Sequence, residues 1–395
     1  MKLKTIKERN YKGRKVFLRV DYNVPIEKGV ITDDTRILAT IPTIEYLLSQ
    51  GAKLIIASHL GRPKGKPVSE LSLRPVAERL SEILNKEVKF APDCVGEEVK
   101  NMVNSLKEGE ILLLENLRFH PEEESGDENF ANQLALLCDC YVNDAFGTCH
   151  REHASVYTIT KFVKDIAAGF LIEKEVVALS KLLTNPEKPF LLILGGAKVI
   201  DKINMVKNLL DKVDTIITGG VMAYTFIKAK NWEIGDSKVE EEAIPLAKEI
   251  IKEINKRHLE FHTPLDHVIV QKISEDAVPI VTERGTVPHG WIGVDIGPQA
   301  IEEYTDCINR AKTIFWNGPM GIYEIEKFAK GTIEIAKAIA NSNAFSVIGG
   351  GDSIAAVNKA GVSDKISHIC TGGGASLEFL EKGTLPGIEV LKENL

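Results

Sequence analysis

The sequence predicts an α/β protein with two doubly wound, Rossmann-like parallel-sheet domains, joined by an interdomain helix and hinge. At 395 residues the chain is longer than the size at which a single hydrophobic core usually stops growing. Short apolar runs alternate with amphipathic helical stretches, which is typical of parallel strands with crossover helices. The two halves also differ in composition, which indicates that they do different work.

The apolar runs predict five strands in the first half and six in the second. Each run is three to six residues long, and turn-forming or helix-forming stretches separate the runs. The predicted strands are 15–20, 53–57, 111–114, 140–143 and 166–169, followed by 190–194, 215–218, 267–270, 313–316, 345–348 and 368–370.

Residues 171–183 carry apolar side chains at helical spacing, and Asn185-Pro186 should end the helix. We interpret this segment as a helix between domains; an ordinary crossover helix within one domain is the alternative. The predicted division is therefore a first domain at 1–170, an interdomain helix at 171–185 and a second domain at 186–379. We expect the tail, from about 380 to 395, to return to the first domain.

Bulk properties exclude several classes of protein. No apolar run approaches the length needed to cross a bilayer, and the basic start is not followed by a secretory signal. A net charge of −7 argues against broad binding to nucleic acid or anionic membrane. The six cysteines have no paired metal spacing. We therefore expect a cytoplasmic protein with reduced thiols, no nucleic-acid partner and no membrane partner.

The first half predicts a site for a small anion. Residues 1–170 hold nine of the twelve arginines, and four strand ends in succession carry Arg or His. Ligands in such folds bind beyond the carboxyl ends of the strands, and guanidinium groups suit carboxylates and phosphates. The strand ends read RVDYNVP from Arg19, SHLGRP from Ser58, LENLRFH from Leu114 and NDAFGTCHREH from Asn143.

Each of these residues also has an interpretation without a ligand. Asp21 and Asn23 fit an Asx turn, and Arg62 fits a solvated loop charge. The histidines 59, 150 and 153 fit packed or exposed positions, and they make a weak zinc site because no carboxylates accompany them. The repetition at four strand ends is what favours an anion site.

The second half predicts a glycine-built nucleotide site. It holds 21 of the 31 glycines, and its strand ends read GGAK from Gly195, GG at 219–220, NGPMG from Asn317, GGGDS from Gly349 and GGGAS from Gly372. Glycine lets backbone N–H groups and helix starts approach a phosphate closely. Asp352 fits either a helix cap or a magnesium ligand beside that phosphate.

Lys198 and Lys202 are four residues apart and are expected to share one face at the first turn of a helix. Cations there oppose the helix dipole unless they bind phosphate, so we favour phosphate binding over solvated side chains. Neither the GxxxxGK[ST] loop nor GxGxxG occurs, which argues against a P-loop NTPase and a dinucleotide dehydrogenase.

Nine motifs in order closely resemble the phosphoglycerate kinase family across nearly the whole chain. They are RVDYNVP, SHLGRP, LENLRFH, NDAFGTCHREHAS, GGAKVIDKI, GWIGVDIGP, FWNGPMG, GGGDS and TGGGAS. The resemblance implies reversible phosphoryl transfer from 1,3-bisphosphoglycerate to Mg-ADP, giving 3-phosphoglycerate and ATP. It also implies an Mg²⁺ cofactor, domain closure and a monomer. The alternative is a two-lobed anion-binding protein without catalysis.

The resemblance also implies residue roles. In the first domain, 3-phosphoglycerate would be bound by Asp21, Asn23, Arg36, His59, Arg62, Arg118 and Arg151. In the second, the nucleotide would be bound by Gly196, Ala197, Lys198, Lys202, Gly219, Gly220, Gly293, Asn317, Glu324, Gly350, Gly351, Asp352 and Ser353, with Asp352 on magnesium. Arg36, Lys198, Gly351 and Gly374 would act in catalysis.

The chain departs from the family pattern at a few positions. Val221 stands in GGVMA where the family often has glycine, so its effect on the nucleotide pocket is open. Cys149 replaces a common alanine, with no role implied. The TPLD loop that ends at Asp266 also differs from the family, and no role is expected for it.

Overall fold

The computed structural model describes residues 1–393, apart from the side chain of Glu8. The chain forms two compact units, and the predicted α/β class is confirmed. Unit 1 comprises Met1–Val177 and the C-terminal segment from Thr384, and unit 2 comprises Ala178–Gly383. None of the helices in the described part of the chain is long and apolar enough to cross a membrane.

Unit 1 contains a six-stranded parallel sheet with the strand order β5-β6-β4-β1-β7-β8. A short antiparallel hairpin, β2-β3, lies outside this sheet. The five predicted strands are confirmed to within one residue, and β5 was not predicted. The strands are β1 Lys15–Arg19, β2 Ile26–Glu27, β3 Val30–Ile31, β4 Lys53–Ala57, β5 Val88–Phe90, β6 Ile111–Leu113, β7 Cys140–Asn143 and β8 Ile166–Ala168.

Crossover helices cover the sheet of unit 1, because buried apolar side chains alternate between its two faces. Val16, Leu18, Leu54 and Ile56 belong to one core cluster, and Val76 of helix α3 packs into it. The helices are α1 Thr35–Leu38, α2 Ile41–Ser49, α3 Arg74–Leu84, α4 Glu97–Ser105, α5 Pro121–Ser125, α6 Glu128–Ala135 and α7 Phe170–Thr184.

Unit 2 contains a second six-stranded parallel sheet, with the order β11-β10-β9-β15-β16-β17. In sequence order this is 3-2-1-4-5-6, the doubly wound arrangement expected from the alternating pattern. Its strands and those of a smaller sheet are β9 Phe190–Leu194, β10 Thr215–Thr218, β11 Glu260–His262, β12 His267–Val270, β13 Ile280–Val281, β14 Ile292–Ile296, β15 Thr313–Asn317, β16 Phe345–Gly349 and β17 His368–Ile369.

One predicted strand of unit 2 has a different place from the one expected. The apolar run at 267–270 forms β12, but β12 pairs antiparallel with β13 and β14 in a separate three-stranded sheet. The third position of the parallel sheet belongs instead to β11, which has only partly buried residues and no apolar run. The prediction that 267–270 joins the doubly wound sheet was therefore wrong.

The helices of unit 2 follow its strands. They are α8 Val199–Leu209, α9 Gly220–Ala229, α10 Ile244–Arg257, α11 Pro298–Arg310, α12 Lys330–Asn341, α13 Gly351–Lys359 and α14 Gly374–Lys382. Three of them, α9, α11 and α13, begin two residues after a strand end, and α8 and α14 begin five residues after one. The glycine-rich turns before α8, α9, α13 and α14 therefore lie at the carboxyl edge of the parallel sheet.

Helix α7 runs across the boundary between the units, as its ends at Phe170 and Thr184 show. Its first turn is held by Asp144, whose Oδ1 accepts hydrogen bonds from the amides of Leu171 at 2.9 Å and Ile172 at 3.2 Å. Because Asp144 follows β7, the sheet of unit 1 fixes the start of this helix.

The C-terminal segment packs on unit 1. It forms helix α15, Pro386–Glu389, and the amide of Gly387 donates to the Cys149 carbonyl at 2.8 Å. The amide of Lys4 donates to the Leu391 carbonyl at 2.9 Å. Asn394 and Leu395, the end of the predicted tail, lie outside the described residues.

Candidate functional site

Unit 1 has a topological switch point between β1 and β7. The chain continues from β1 toward β4 on one side, while β7 lies on the other, and ligands bind at such a point. The loops after β1, β4 and β6 are tied together by side chains. The Gly61 amide donates to Asn23 Oδ1 at 2.8 Å, and Asn116 Nδ2 donates to the Leu60 carbonyl at 2.7 Å. These bonds hold the strand-end residues in one basin.

Asp21 lies between a buried histidine and an arginine of α1. Its Oδ2 accepts a hydrogen bond from Arg36 Nη1 at 2.6 Å, and its Oδ1 is 3.9 Å from His59 Nε2. Burial raises the pKa of Asp21, but His59 and Arg36 outweigh that effect and the net pKa is lowered. Burial lowers the pKa of His59 well below its usual value, although the neighbouring Asp21 raises it. Arg36 therefore places a positive charge in direct contact with Asp21.

The remaining predicted anion ligands lie in the same basin. Arg118 Nη1 donates to the Gly61 carbonyl at 2.9 Å, which fixes the guanidinium beside the loop that carries Arg62. The side chains of Arg62 and Arg151 are exposed. Arg151 is close enough to the buried His153 to lower its pKa. Exposed guanidinium groups that lack carboxylate partners remain available to an anion.

Arg19 has a different environment from the other arginines. It is fully buried, its Nε donates to Ser155 Oγ at 2.7 Å, and its Nη2 lies 3.8 Å from Glu123 Oε1. A buried charge persists where it is paired and hydrogen-bonded, and here both conditions are met. Arg19 is therefore a buried structural residue of the basin, held by Ser155 and Glu123, rather than a ligand-binding residue.

His153 is packed against the basin, which is one of the two positions expected for it from the sequence. It is buried, and its Nδ1 has no hydrogen-bond partner within residues 1–393. Burial, together with the positive charges of Arg118, Arg19 and Arg151, lowers its pKa to about 3. The spacing His150-Arg-Glu-His153 after a strand end was the signal for it in the sequence.

Unit 2 has its switch point between β9 and β15, and the glycine-rich turns surround a cavity there. Backbone bonds lock the two central turns together: the Gly195 amide donates to Asn317 O at 2.9 Å and the Gly196 amide to Pro319 O at 2.7 Å. The lining residues are Gly196, Ala197, Lys198, Asp201, Lys202, Asn317, Gly318, Gly350, Gly351, Asp352, Ser353, Gly373, Gly374 and Leu377.

Lys202 is the buried cation of this cavity. It is 8% exposed, and its Nζ donates to the Gly195 carbonyl at 2.7 Å. Burial lowers its pKa to about 8, although Asp352 raises it. An anion beside Nζ would favour the charged form of this lysine further, so the position of Lys202 suits a bound phosphate.

Lys198 does not share a helical face with Lys202 as expected. It is the residue before α8, with a left-handed φ of 61°, and its side chain is exposed. Lys202 therefore lies within the helix, whereas Lys198 lies on the loop before it. Both still line the same cavity.

Asp352 does not cap α13, because the capping position is Gly350 and no side chain caps the helix. Asp352 lies in the first turn, exposed, with no hydrogen bond or salt bridge to its carboxylate anywhere in residues 1–393. A carboxylate at a cavity lined by lysines and glycine-rich helix starts suits Mg²⁺, which takes few protein ligands and keeps water and phosphate oxygens. Ser353, by contrast, is buried and accepts from the Gly318 amide at 2.6 Å.

A second, less polar cavity continues from the first through Gly196, Ala197 and Asp352. The predicted residues Gly220, Gly293 and Glu324 line it, and so does Val221. Gly293 is required because an added Cβ would overlap the Tyr224 hydroxyl. Gly219 lies outside both linings and starts α9, packed against Met320. Residues that sequence reasoning missed are Tyr224, Lys238, Ile273, Ile292, Val294, Pro319, Met320, Gly321 and Ile322.

A sequence profile described as "Phosphoglycerate kinase" matches residues 6–383. Curated relatives named phosphoglycerate kinase include proteins of Clostridium botulinum strain Langeland and Clostridium tetani. Each is 52% identical over 392 residues, covering 99% of this chain and 98% of the relative.

Solved structures agree with this comparison. The phosphoglycerate kinase from Coxiella burnetii is 40% identical with a TM-score of 0.90, and that from Pyrococcus horikoshii is 36% identical with a TM-score of 0.86. Each alignment covers 98% of both chains. The chain belongs to the phosphoglycerate kinase family.

Proposed function

We propose that this chain catalyses the reversible transfer of a phosphoryl group from 1,3-bisphosphoglycerate to Mg-ADP, giving 3-phosphoglycerate and ATP. This is a step of glycolysis and, in reverse, of gluconeogenesis. The observation that carries the proposal is the match of the family profile over residues 6–383. Its support is the position of the anion-binding and glycine-rich residues at the two switch points.

In unit 1 we assign 3-phosphoglycerate to the basin around Asp21. Asp21 and Asn23 would bind its hydroxyl and carboxylate end, and Arg36 would face the carboxylate that receives the phosphoryl group. Its distal phosphate would be bound by His59, Arg62, Arg118 and Arg151. The exposed guanidinium groups of Arg62 and Arg151 support this assignment.

In unit 2 we assign the nucleotide to the two connected cavities. The base would lie in the less polar cavity near Gly220 and Gly293, with Glu324 on the ribose. The phosphates would lie in the polar cavity, with Lys202 on the inner group and Lys198 on the transferring one. The helix starts at Gly351 and Gly374 would add backbone N–H donors.

Asp352 would hold Mg²⁺ beside the nucleotide phosphates. The ion would neutralise negative charge on the phosphate oxygens when it is bound. The support for Asp352 is that its side chain is exposed, that it lines both cavities and that it makes no hydrogen bond or salt bridge in the described part of the chain.

Catalysis would rest on alignment and charge rather than on proton transfer. In the ATP-consuming direction the nucleophile is a carboxylate, which is ionised at neutral pH, so no general base is needed. The transferring phosphoryl group carries dispersed negative charge in a loose transition state. Arg36, Lys198 and the backbone N–H groups of Gly351 and Gly374 would stabilise that charge.

The two ligands are assigned to separate units, so transfer requires closure that aligns them and excludes water. We therefore propose hinge closure when both ligands are bound. We also propose that the protein acts in the cytoplasm as a monomer. Size-exclusion chromatography with light scattering would test the monomer, and a dimer mass would contradict it.

The deciding experiment measures ATP formation from 1,3-bisphosphoglycerate and ADP, with and without Mg²⁺. We expect Mg-dependent turnover, and a loss of about 100- to 1,000-fold in kcat for Lys198→Ala. Lys207→Ala is the matched control, because Lys207 lies on α8 and pairs on the surface with Glu249 at 3.5 Å. Ligand binding without turnover would instead favour the anion-binding protein.

A further inference from the structure

A group of four potential metal ligands lies at the edge of the unit 2 sheet, away from the nucleotide cavities. Glu260 and His262 are two residues apart on β11, so their side chains share one face of the strand. Glu303 and Cys307 are four residues apart on α11 and share one face of that helix. The edge strand and the helix therefore present four donor groups to each other.

The distances within this group suit a metal ion. One ligand atom from each of Glu260, His262 and Cys307 lies within 4.8 Å of the others. A tetrahedral zinc site with bonds of about 2.0–2.3 Å places its ligand atoms roughly 3.3–3.8 Å apart. Small side-chain rotations would reach that spacing. A cavity lined by the same residues leads to solvent and provides an entry path.

The histidine is already oriented by carboxylates on both sides. Its Nε2 lies 2.9 Å from Glu260 Oε1, and its Nδ1 lies 2.8 Å from Glu303 Oε1. In metal sites, one ring nitrogen typically binds the ion while the other donates to a carboxylate. Glu303 occupies that outer position. Its second oxygen, Oε2, is buried without a hydrogen-bond partner among the described residues.

A positively charged side chain, Arg310, lies beside these ligands. Arg310 Nη2 lies 2.9 Å from Glu260 Oε1 and 3.4 Å from Cys307 Sγ. The imidazole, held between two carboxylates, donates from both nitrogens when it is protonated. Arg310 is 58% exposed, so its guanidinium can move into solvent. Because zinc binds the thiolate form of cysteine, Zn²⁺ binding would release the proton of the Cys307 thiol.

We propose that Glu260, His262 and Cys307 bind one Zn²⁺ ion, with Glu303 positioning His262 through Nδ1 and with the fourth coordination position facing the cavity. The site would tie the edge strand β11 to helix α11. It is separate from the proposed magnesium site, because none of its residues lines either nucleotide cavity.

A second group of similar composition in unit 1 is a weaker candidate and serves as a control. Asp93, Cys94 and His120 also bring ligand atoms within 4.8 Å. However, Asp93 Oδ1 already accepts from the Cys94 amide at 2.6 Å and lies 2.7 Å from His120 Nε2. Cys94 is fully buried, whereas an open cavity lies beside Cys307.

The test is calorimetric titration of the full-length, chelator-treated protein with Zn²⁺, followed by Co²⁺ substitution. We expect one zinc ion per chain, proton release, and a thiolate-to-cobalt charge-transfer band. Cys307→Ser and His262→Gln should each abolish that ion and the band, while Cys94→Ser should retain both. Glu303→Gln should weaken binding about 10- to 100-fold. Arg310→Ala should tighten it, because a competing cation is removed.

Phosphoryl transfer by Cys307→Ser at the wild-type rate would show that this variant folds. With folding established, zinc binding that survives in both Cys307→Ser and His262→Gln would overturn the proposal. So would the absence of binding to the wild-type protein. A zinc ion lost on Cys94→Ser instead would assign the metal to the unit 1 group and equally overturn it.

Discussion

At the scale of single residues, the same residue type has different roles according to burial. Arg19 and Arg62 are both strand-end arginines in the sequence, yet Arg19 is fully buried beside Glu123 and Arg62 is exposed. Lys202 is buried with a lowered pKa, while Lys198 is exposed on a left-handed turn. The sequence shows that such residues follow strand ends, but it does not show how deeply each one is buried. Burial depends on how several helices, strands and loops pack together.

The lowered pKa of Lys202 predicts a pH-dependent affinity for nucleotide. In the free protein its pKa is about 8, and a bound phosphate should raise it. Above pH 8 binding must therefore take up a proton, and affinity should fall by up to about tenfold per pH unit. Titration of ADP at pH 7 to 9.5 measures this. Lys202→Arg should remove most of the dependence, and a flat wild-type profile would refute the argument.

Two glycines of the phosphate cavity should respond differently to alanine. Gly318 has φ of 96°, and an added Cβ would overlap the Gly195 backbone. Gly351 has no atom within 4 Å of such a Cβ. We expect Gly318→Ala to lower the free energy of unfolding by about 2–3 kcal/mol, and Gly351→Ala to leave it within about 0.5 kcal/mol.

Urea unfolding of both variants measures this difference. Gly351→Ala should still lower phosphoryl transfer, because the methyl group would hold phosphate away from the backbone N–H groups. Equal stability of the two variants would show that Gly195 does not constrain Gly318.

At the scale of elements, sequence patterns predicted strands well where burial was complete. The runs that became β1, β4, β9 and β15 are almost entirely buried, so the pattern and the structure coincide. β11 has no fully buried residue and left no apolar signal. The run of β12 was detected, but an apolar run does not specify its partner strand, and β12 joined an antiparallel sheet.

Helix α11 depends on a loop to which no role was assigned from sequence. Asp266 is fully buried, and its two carboxylate oxygens accept from the amides of Ala300 at 2.9 Å and Gln299 at 3.1 Å. The departure of the TPLD loop from the family pattern therefore leaves the capping aspartate in place.

Asp266→Ala should lower the free energy of unfolding of the protein by about 1–2 kcal/mol, because two amides at the start of α11 lose their acceptor. Asp266→Asn retains one acceptor oxygen and should lower the free energy of unfolding by less. Thermal and urea unfolding compare the two variants. If they were equally stable, the cap would contribute nothing beyond packing.

At the scale of the whole molecule, the proposed function predicts a change in dimensions. We expect the radius of gyration from small-angle X-ray scattering to decrease when 3-phosphoglycerate and a non-reactive Mg-nucleotide are both bound. Either ligand alone should reduce the radius less, because it occupies only one of the two units. Both ligands together provide charge and contact area on each unit for closure. An unchanged radius with both ligands bound would argue against closure.

The route of the chain has a consequence for its synthesis. Residues 178–383 form unit 2 as one continuous stretch, while unit 1 needs the segment from Thr384 to complete it. On the ribosome, unit 2 can therefore finish folding while unit 1 still lacks α15 and the Lys4–Leu391 bond. The first part to be translated is the last to be completed, and loss of a few C-terminal residues would damage the N-terminal half of the enzyme.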